Sequence, residues 1–136
     1  KERVAAELKA KKDAAAAEAQ AQKEKKEAEN KQAFERELGE SLANCSGAFV
    51  FTGAMNASAG ITKEAKSYIE LGTAFFKAAS EHIGKERADR ISAERLNDLK
   101  IGFQTNRPGL AQNTKNVIDN CIKLGYSSGV SKYINK

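Results

Sequence analysis

Residues 11–32, KKDAAAAEAQAQKEKKEAENKQ, contain no apolar side chain larger than alanine, and this limits what the chain can fold into. A core is built from large apolar side chains removed from water, so this segment has nothing to bury. Its alanine, lysine, glutamate and glutamine residues favour a solvated helix. Val4 and Leu8 are the only large apolar residues in 1–33. We therefore interpret 1–33 as a Lys/Ala/Glu-rich helical spacer or coil.

Two alternatives to a plain spacer remain open for this segment. A coiled coil needs apolar residues at most of its core positions, and here they end after one heptad. Charge pairs four residues apart, such as Glu7 with Lys11 and Glu27 with Lys31, support a single helix instead. The segment is then a fraying solvated tail, or a coil that binds a partner or a second copy through the N-terminal helix.

The pattern changes at Phe34, where apolar residues begin to recur at every third or fourth position. Four such stripes follow one another, so 34–136 is predicted to be a helical bundle domain. The residues predicted to face inward are Phe34, Leu38, Leu42, Cys45 and Phe49, widened by Val50, Phe51 and Met55; Ala65, Tyr68 or Ile69, Gly72, Phe75 or Phe76, Ala79 and Ile83; Ala88, Ile91, Leu96, Leu99 and Phe103; and Leu110, Thr114, Val117, Cys121 and Leu124. The predicted fold is all-α, a long N-terminal charged helix followed by a small four-helix bundle closed by a disulfide.

Glycine and proline mark the predicted ends of these helices. Gly60 suits the position after the first bundle helix, and Gly84 closes the second. Thr62 is expected to cap the second helix, and Pro108 to lie in the first turn of the fourth. The GYSSG stretch, 125–129, is expected to interrupt the fourth helix and to precede a short terminal helix.

The two cysteines lie on the inward stripes of the first and last bundle helices. A four-helix arrangement brings such stripes together, so we predict a disulfide between Cys45 and Cys121. The alternative is two free buried thiols, which are common in cores. A bond between residues 76 positions apart stabilises by about 4 kcal/mol in the chain-entropy account. It indicates an oxidising compartment, either periplasmic or secreted.

Catalytic chemistry finds little support in the sequence. His82 is the only histidine, and it is expected at a helix end, where a cation near the last carbonyls is a common structural feature. Two cysteines and one histidine far apart make no tetrahedral metal site. We therefore predict no enzyme, no cofactor and no metal.

The net charge of +5 suggests nucleic acid as a partner, but the basic residues are not clustered. Residues 97–136 carry six Lys/Arg against two Asp/Glu, and the six are widely spaced. A nucleic-acid surface needs clustered basic residues on one face. We therefore do not take nucleic-acid binding as the main prediction. A cytoplasmic nucleic-acid-associated helical protein is the alternative function.

The function predicted from the sequence is a non-enzymatic, secreted or periplasmic interaction or structural protein, a helical module on a helical stalk that binds another protein. Specific interfaces use aromatic or arginine anchors, and the best candidates are Arg107, Tyr126 and Tyr133. No stretch is long and apolar enough to cross a membrane. The chain begins with Lys1, which leaves room for a membrane tether upstream of residue 1.

Overall fold

A computed structural model describes residues 2–134, and these residues form four α-helices and one short 3₁₀ helix. The α-helices are α1 (Glu2–Ser58), α2 (Thr62–Ile83), α3 (Lys85–Gln104) and α4 (Leu110–Ser128), and the 3₁₀ helix is Val130–Tyr133. No strand occurs within 2–134. The predicted all-α fold with a four-helix bundle is confirmed. Residue 1 of the predicted domain 1–33 and residues 135 and 136 of the predicted domain 34–136 lie outside the described part.

Helix α1 runs from the charged segment into the apolar one without a break, and the chain divides into two compact units between Phe34 and Glu35. In the first unit every described side chain from Glu2 to Gln32 is exposed. Its local support is an ion pair between Arg3 and Glu7 and a hydrogen bond that Gln20 donates to Glu24. Helix propensity and neighbouring-turn contacts therefore maintain this unit, as its composition predicts.

In the second unit, small residues let α1 and α2 approach closely. They recur every seven positions on both helices and are all buried: Gly39, Ser46 and Gly53 on α1, and Ala65, Gly72 and Ala79 on α2. A Cβ atom added to Gly72 would lie 3.3 Å from the Ser46 carbonyl oxygen. The Ser46 hydroxyl donates a 2.8 Å hydrogen bond to the Gly72 carbonyl. The close approach that Gly72 predicts is confirmed.

The remaining helices pack on other faces of α1. A Cβ atom at Gly47 would collide with the Ser92 carbonyl oxygen of α3. Cys45 and Cys121 form the predicted pair between α1 and α4, with Cα atoms 5.6 Å apart, inside the range that disulfides require. The core centres on Phe49 and Phe75, whose ring centroids are 4.9 Å apart. The first helix of the bundle is thus its central element.

Four predictions about helix ends have different outcomes. Gly60 has the expected positive φ of 80°, and the Ile61 amide donates to the Asn56 carbonyl at 2.8 Å, as in a Schellman motif. Gly84, expected to close the second helix, follows the last residue of α2 and has a φ of 86°. The predicted cap at Thr62 is wrong, because Ile61 occupies the N-cap position without a side-chain hydrogen bond. The prediction that Pro108 lies in the first turn of the fourth helix is wrong, because α4 begins only at Leu110 and Pro108 lies in the turn before it.

The predicted break at GYSSG is also wrong in its position. Helix α4 continues through Gly125 and ends at Ser128, followed by Gly129 with φ 75°. A Cβ atom at Gly125 would lie 2.8 Å from Cζ of Phe75, so this glycine permits close packing and does not end the helix. The predicted terminal helix is the short 3₁₀ segment, and its Val130 is buried.

Most of the predicted inward residues are buried or half-buried, and two are not. Phe34 is 66% exposed, because the buried stripe of α1 begins with Leu38 and Gly39, beside the end of α2 at Ile83. Phe103 is 52% exposed, because α3 ends one residue later. Two inward positions of the second stripe had two candidates each. The more buried residue is Tyr68 and not Ile69 at the first, and Phe75 and not Phe76 at the second. Ile118 of α4 is buried although the predicted stripe omits it.

Candidate functional site

An open groove of about 670 Å³ lies where the end of α1, the end of α3 and the first half of α4 meet. Its apolar lining residues are Phe51, Met55, Tyr68, Phe103, Leu110 and Ile118. Its polar lining residues are Thr52, Asn56, Asn106, Arg107, Thr114, Lys115 and Asp119. The volume is typical of a binding cleft, and aromatic and aliphatic side chains with polar groups placed among them are the usual lining of one.

Helix α1 forms one wall of the groove, and apolar and polar side chains alternate along this wall. The Thr52 hydroxyl donates to the Ala48 carbonyl at 2.9 Å, and the Asn56 amide donates to the Thr52 carbonyl at 2.9 Å. These polar groups therefore bond within their own helix. Phe51 and Met55 provide the apolar surface of this wall.

The lip of the groove carries Phe103 on the last turn of α3. The preceding residue, Gly102, is buried, whereas Phe103 leaves half of its surface in water. Helix α3 ends in a second Schellman-type turn, in which the Arg107 amide donates to the Gly102 carbonyl at 2.8 Å and Asn106 has φ 54°. This turn fixes Arg107 beside the same lip.

Arg107 is held by Asp98 through a forked pair of hydrogen bonds. Its Nη1 and Nη2 atoms donate to the two Asp98 carboxylate oxygens at 3.2 Å each. The hydrogen bond from Arg107 and its positive charge hold the pKa of Asp98 below the ordinary value of 3.8. The guanidinium is thereby ordered in one position at the groove, where its plane and remaining N–H groups are available to a partner.

Thr114 lies in the wall between the groove and a smaller cavity of about 150 Å³. Its hydroxyl is buried, and no atom of the described residues forms a hydrogen bond with it. A buried hydroxyl without a partner costs free energy relative to its hydrated state. This atom is a polar group of the groove that the fold leaves unsatisfied.

Lys115 and Asp119 supply opposite charges on adjacent turns of α4. Both are exposed and both line the groove. Neither takes part in an ion pair within the described part of the chain. Lysine on the N-terminal side of the acid is the less favourable order for a pair within one helix, so both charges stay available to another molecule.

The structure places the three predicted partner-binding residues in different regions. Tyr126 is 83% exposed on the last turn of α4, roughly 24 Å along the helix from Leu110 at the groove. Tyr133 is half-buried against the core. Of the three, only Arg107 lines the groove.

Tyr133 belongs to a small charged cluster on α2 and the C-terminal turn. Lys132 Nζ lies 3.7 Å from the Glu81 carboxylate and 5.0 Å from the centre of the Tyr133 ring. The nearby Glu81 carboxylate raises the pKa of Tyr133, and the Tyr133 hydroxyl and then Lys132 lower the pKa of Glu81. The hydroxyl makes no hydrogen bond of ordinary geometry within residues 2–134, so proximity is the cause of these shifts.

Sequence reasoning did not identify the groove residues other than Arg107. The helical period of α3 predicts that Phe103 is buried in the core. The signal against this is its closeness to the TNRPG break, where the helix stops. The opposite charges of Lys115 and Asp119 were also visible in the sequence. Nothing in the sequence indicated that they border the same apolar surface as Phe103.

Comparison with known families, curated proteins and solved structures finds no match for this chain. Among the described residues, no three or more His, Cys, Asp or Glu side chains gather as a metal site would require. No helix in residues 2–134 is long and apolar enough to cross a membrane.

Proposed function

We propose that this protein is a non-enzymatic interaction module of an oxidising compartment, and that its bundle binds another protein through the groove. The observation that carries the proposal is Phe103, half exposed at the lip of an apolar groove. Water around such a side chain is released when a partner covers it, which favours association.

The polar surroundings of Phe103 also favour a protein partner. Energetically important interface residues are mostly aromatic or arginine side chains in positions that binding desolvates. Arg107 and Phe103 stand together at one lip, and the ion pair with Asp98 orders the arginine before binding. An ordered side chain loses less conformational entropy when a partner docks.

The cysteine pair supports the assignment of the protein to an oxidising compartment. Cys45 and Cys121 are buried, and they connect the first and last helices of the bundle. A disulfide persists in the periplasm or outside the cell, whereas cytosolic thiols are kept reduced. In this proposal the charged first unit provides reach, because exposed, alternating charges make only screened contacts of low specificity.

Site-specific crosslinking tests the proposal. A photoreactive phenylalanine analogue replaces Ala111, which is exposed and lines the groove, or Tyr126, which is exposed outside it. The full chain is then irradiated in extract from its native host. We expect protein adducts from position 111, which disappear when Phe103→Ser is added, and none from position 126. Adducts from position 126 alone, or adducts at 111 that do not depend on Phe103, would contradict the proposal.

A further inference from the structure

We propose that the protein bound in the groove is a second copy of this chain, so that the two groove surfaces form a two-fold dimer. This inference rests on the proposed function and names its partner. In the dimer, Phe103 of each copy enters the groove of the other, and Lys115 of each copy pairs with Asp119 of the other.

The groove surface contains both a projecting and a receiving part. In a two-fold interface the same patch meets itself, so one surface must carry both halves of every contact. Phe103 is 52% exposed at the lip. Directly beside it lies an apolar recess of about 670 Å³, with Phe51 and Ile118 among its lining residues. The recess has room for an aromatic ring, whose burial dominates the energetics of many interfaces.

The charges of the groove surface also complement those of a second copy of the same surface. Arg107 is neutralised by Asp98, and Lys115 and Asp119 contribute one charge of each sign. The four charges sum to zero although the whole chain carries +5, so two groove surfaces meet without net repulsion.

The spacing of Lys115 and Asp119 suits a two-fold axis. Four residues correspond to about 6 Å along α4. In the dimer the α4 helices of the two copies pack antiparallel, and the two-fold axis passes between Lys115 and Asp119. Each lysine then faces the acid of the other copy. The pairing thereby occurs twice in each dimer. A surface that bound nucleic acid or anionic lipid would instead require an excess of basic residues.

Sedimentation equilibrium on the full chain tests the role of Phe103. We expect a reversible dimer whose Kd rises at least about tenfold on Phe103→Ser, because an anchor is lost from both halves of the interface. The matched control is Tyr126→Ser, which removes an even more exposed aromatic ring outside the groove. The control should leave the Kd within about twofold of the unmodified chain.

Charge exchange tests the pairing between copies. Lys115→Glu leaves two acids in each copy and Asp119→Lys leaves two bases, so each variant alone should dimerise at least about tenfold more weakly. An equimolar mixture of the two variants should form a one-to-one heterodimer close to the original affinity. An association through the helix of the first unit would show none of these effects, since it contains neither residue.

Three outcomes would overturn the inference. They are a chain that stays monomeric up to about 1 mM, a dimer insensitive to Phe103→Ser, and a mixture that does not form the heterodimer. The proposed function is tested separately by the adducts at position 111. If the chain is monomeric and Phe103-dependent adducts contain a different protein, the proposed function stands and the dimer is wrong. If no Phe103-dependent adduct and no dimer form, both are wrong.

Discussion

The hydroxyl of Thr114 is buried in the wall of the groove without a hydrogen-bond partner among the described residues. Replacement by valine keeps the shape of the side chain and removes the polar atom. We expect Thr114→Val to raise the free energy of unfolding by about 1 kcal/mol, because the buried group no longer loses its hydration on folding. Urea unfolding followed by circular dichroism measures the change.

The control for this substitution is Thr73→Val on α2. Thr73 is exposed, and its hydroxyl donates to the Ile69 carbonyl within the same helix. Its replacement should therefore leave the stability unchanged or slightly lower. A loss of stability in Thr114→Val that exceeds the control would show that the Thr114 hydroxyl does have a partner, and the description of this wall would be wrong.

At the scale of residues, the sequence predicts those features that depend on the local backbone. Gly60 and Gly84 are correctly predicted to follow the ends of helices. Glycine has no Cβ atom and adopts a positive φ at little cost, and this depends on the residue itself and not on its neighbours in space. Phe103 is wrongly predicted to be buried, because its exposure depends on which helices lie opposite the end of α3. The helical period shows which residues lie on the same face of a helix, but it does not show where the neighbouring helix stops.

At the scale of elements, α1 and α3 pack closely against each other at Gly47. A Cβ atom there would collide with the Ser92 carbonyl and would lie 2.9 Å from Cβ of Arg95. Alanine is favoured over glycine in a helix by about 1 kcal/mol, but separating two packed helices costs about 1–3 kcal/mol. We expect the cost to exceed the gain, so that Gly47→Ala lowers the free energy of unfolding by up to about 2 kcal/mol.

Gly102→Ala is the matched control for that substitution, and the same urea titration measures both. Gly102 is also buried within a helix, but a Cβ atom there would meet the Arg107 guanidinium, with Cζ at 3.0 Å. Arg107 is exposed, and its guanidinium needs to shift by only a few tenths of an ångström, which leaves its pair with Asp98 in place, so Gly102→Ala should be neutral or stabilising by up to about 1 kcal/mol. Equal effects at the two glycines would contradict the close packing of α1 on α3.

The sequence predicts the number of helices well and the junctions between them less well. No glycine or proline precedes Gly39, so nothing in the sequence ends the helix between the charged and the apolar segments, and α1 runs through both. The change in composition at Phe34 is a change in what the helix contacts and not in its backbone. The local sequence predicts a break at Gly125, because it does not show that the ring of Phe75, fifty positions away, packs against this glycine.

At the scale of the whole molecule, the bond between Cys45 and Cys121 closes the bundle. The two residues are separated by 76 positions, and their bond connects the helix at the centre of the bundle to the last one. In the chain-entropy account this crosslink stabilises the folded state by about 4 kcal/mol, a large part of the stability of a small domain. The proposed oxidising compartment depends on this bond.

A count of free thiols on protein from its native host tests this claim most directly. The protein is alkylated at lysis, denatured without reductant, and analysed by mass spectrometry, and a reduced sample provides the control. We expect no alkylated cysteine before reduction and two after it, because both cysteines of the chain are joined. Two alkylated cysteines before reduction would contradict the disulfide-closed bundle and the oxidising compartment together.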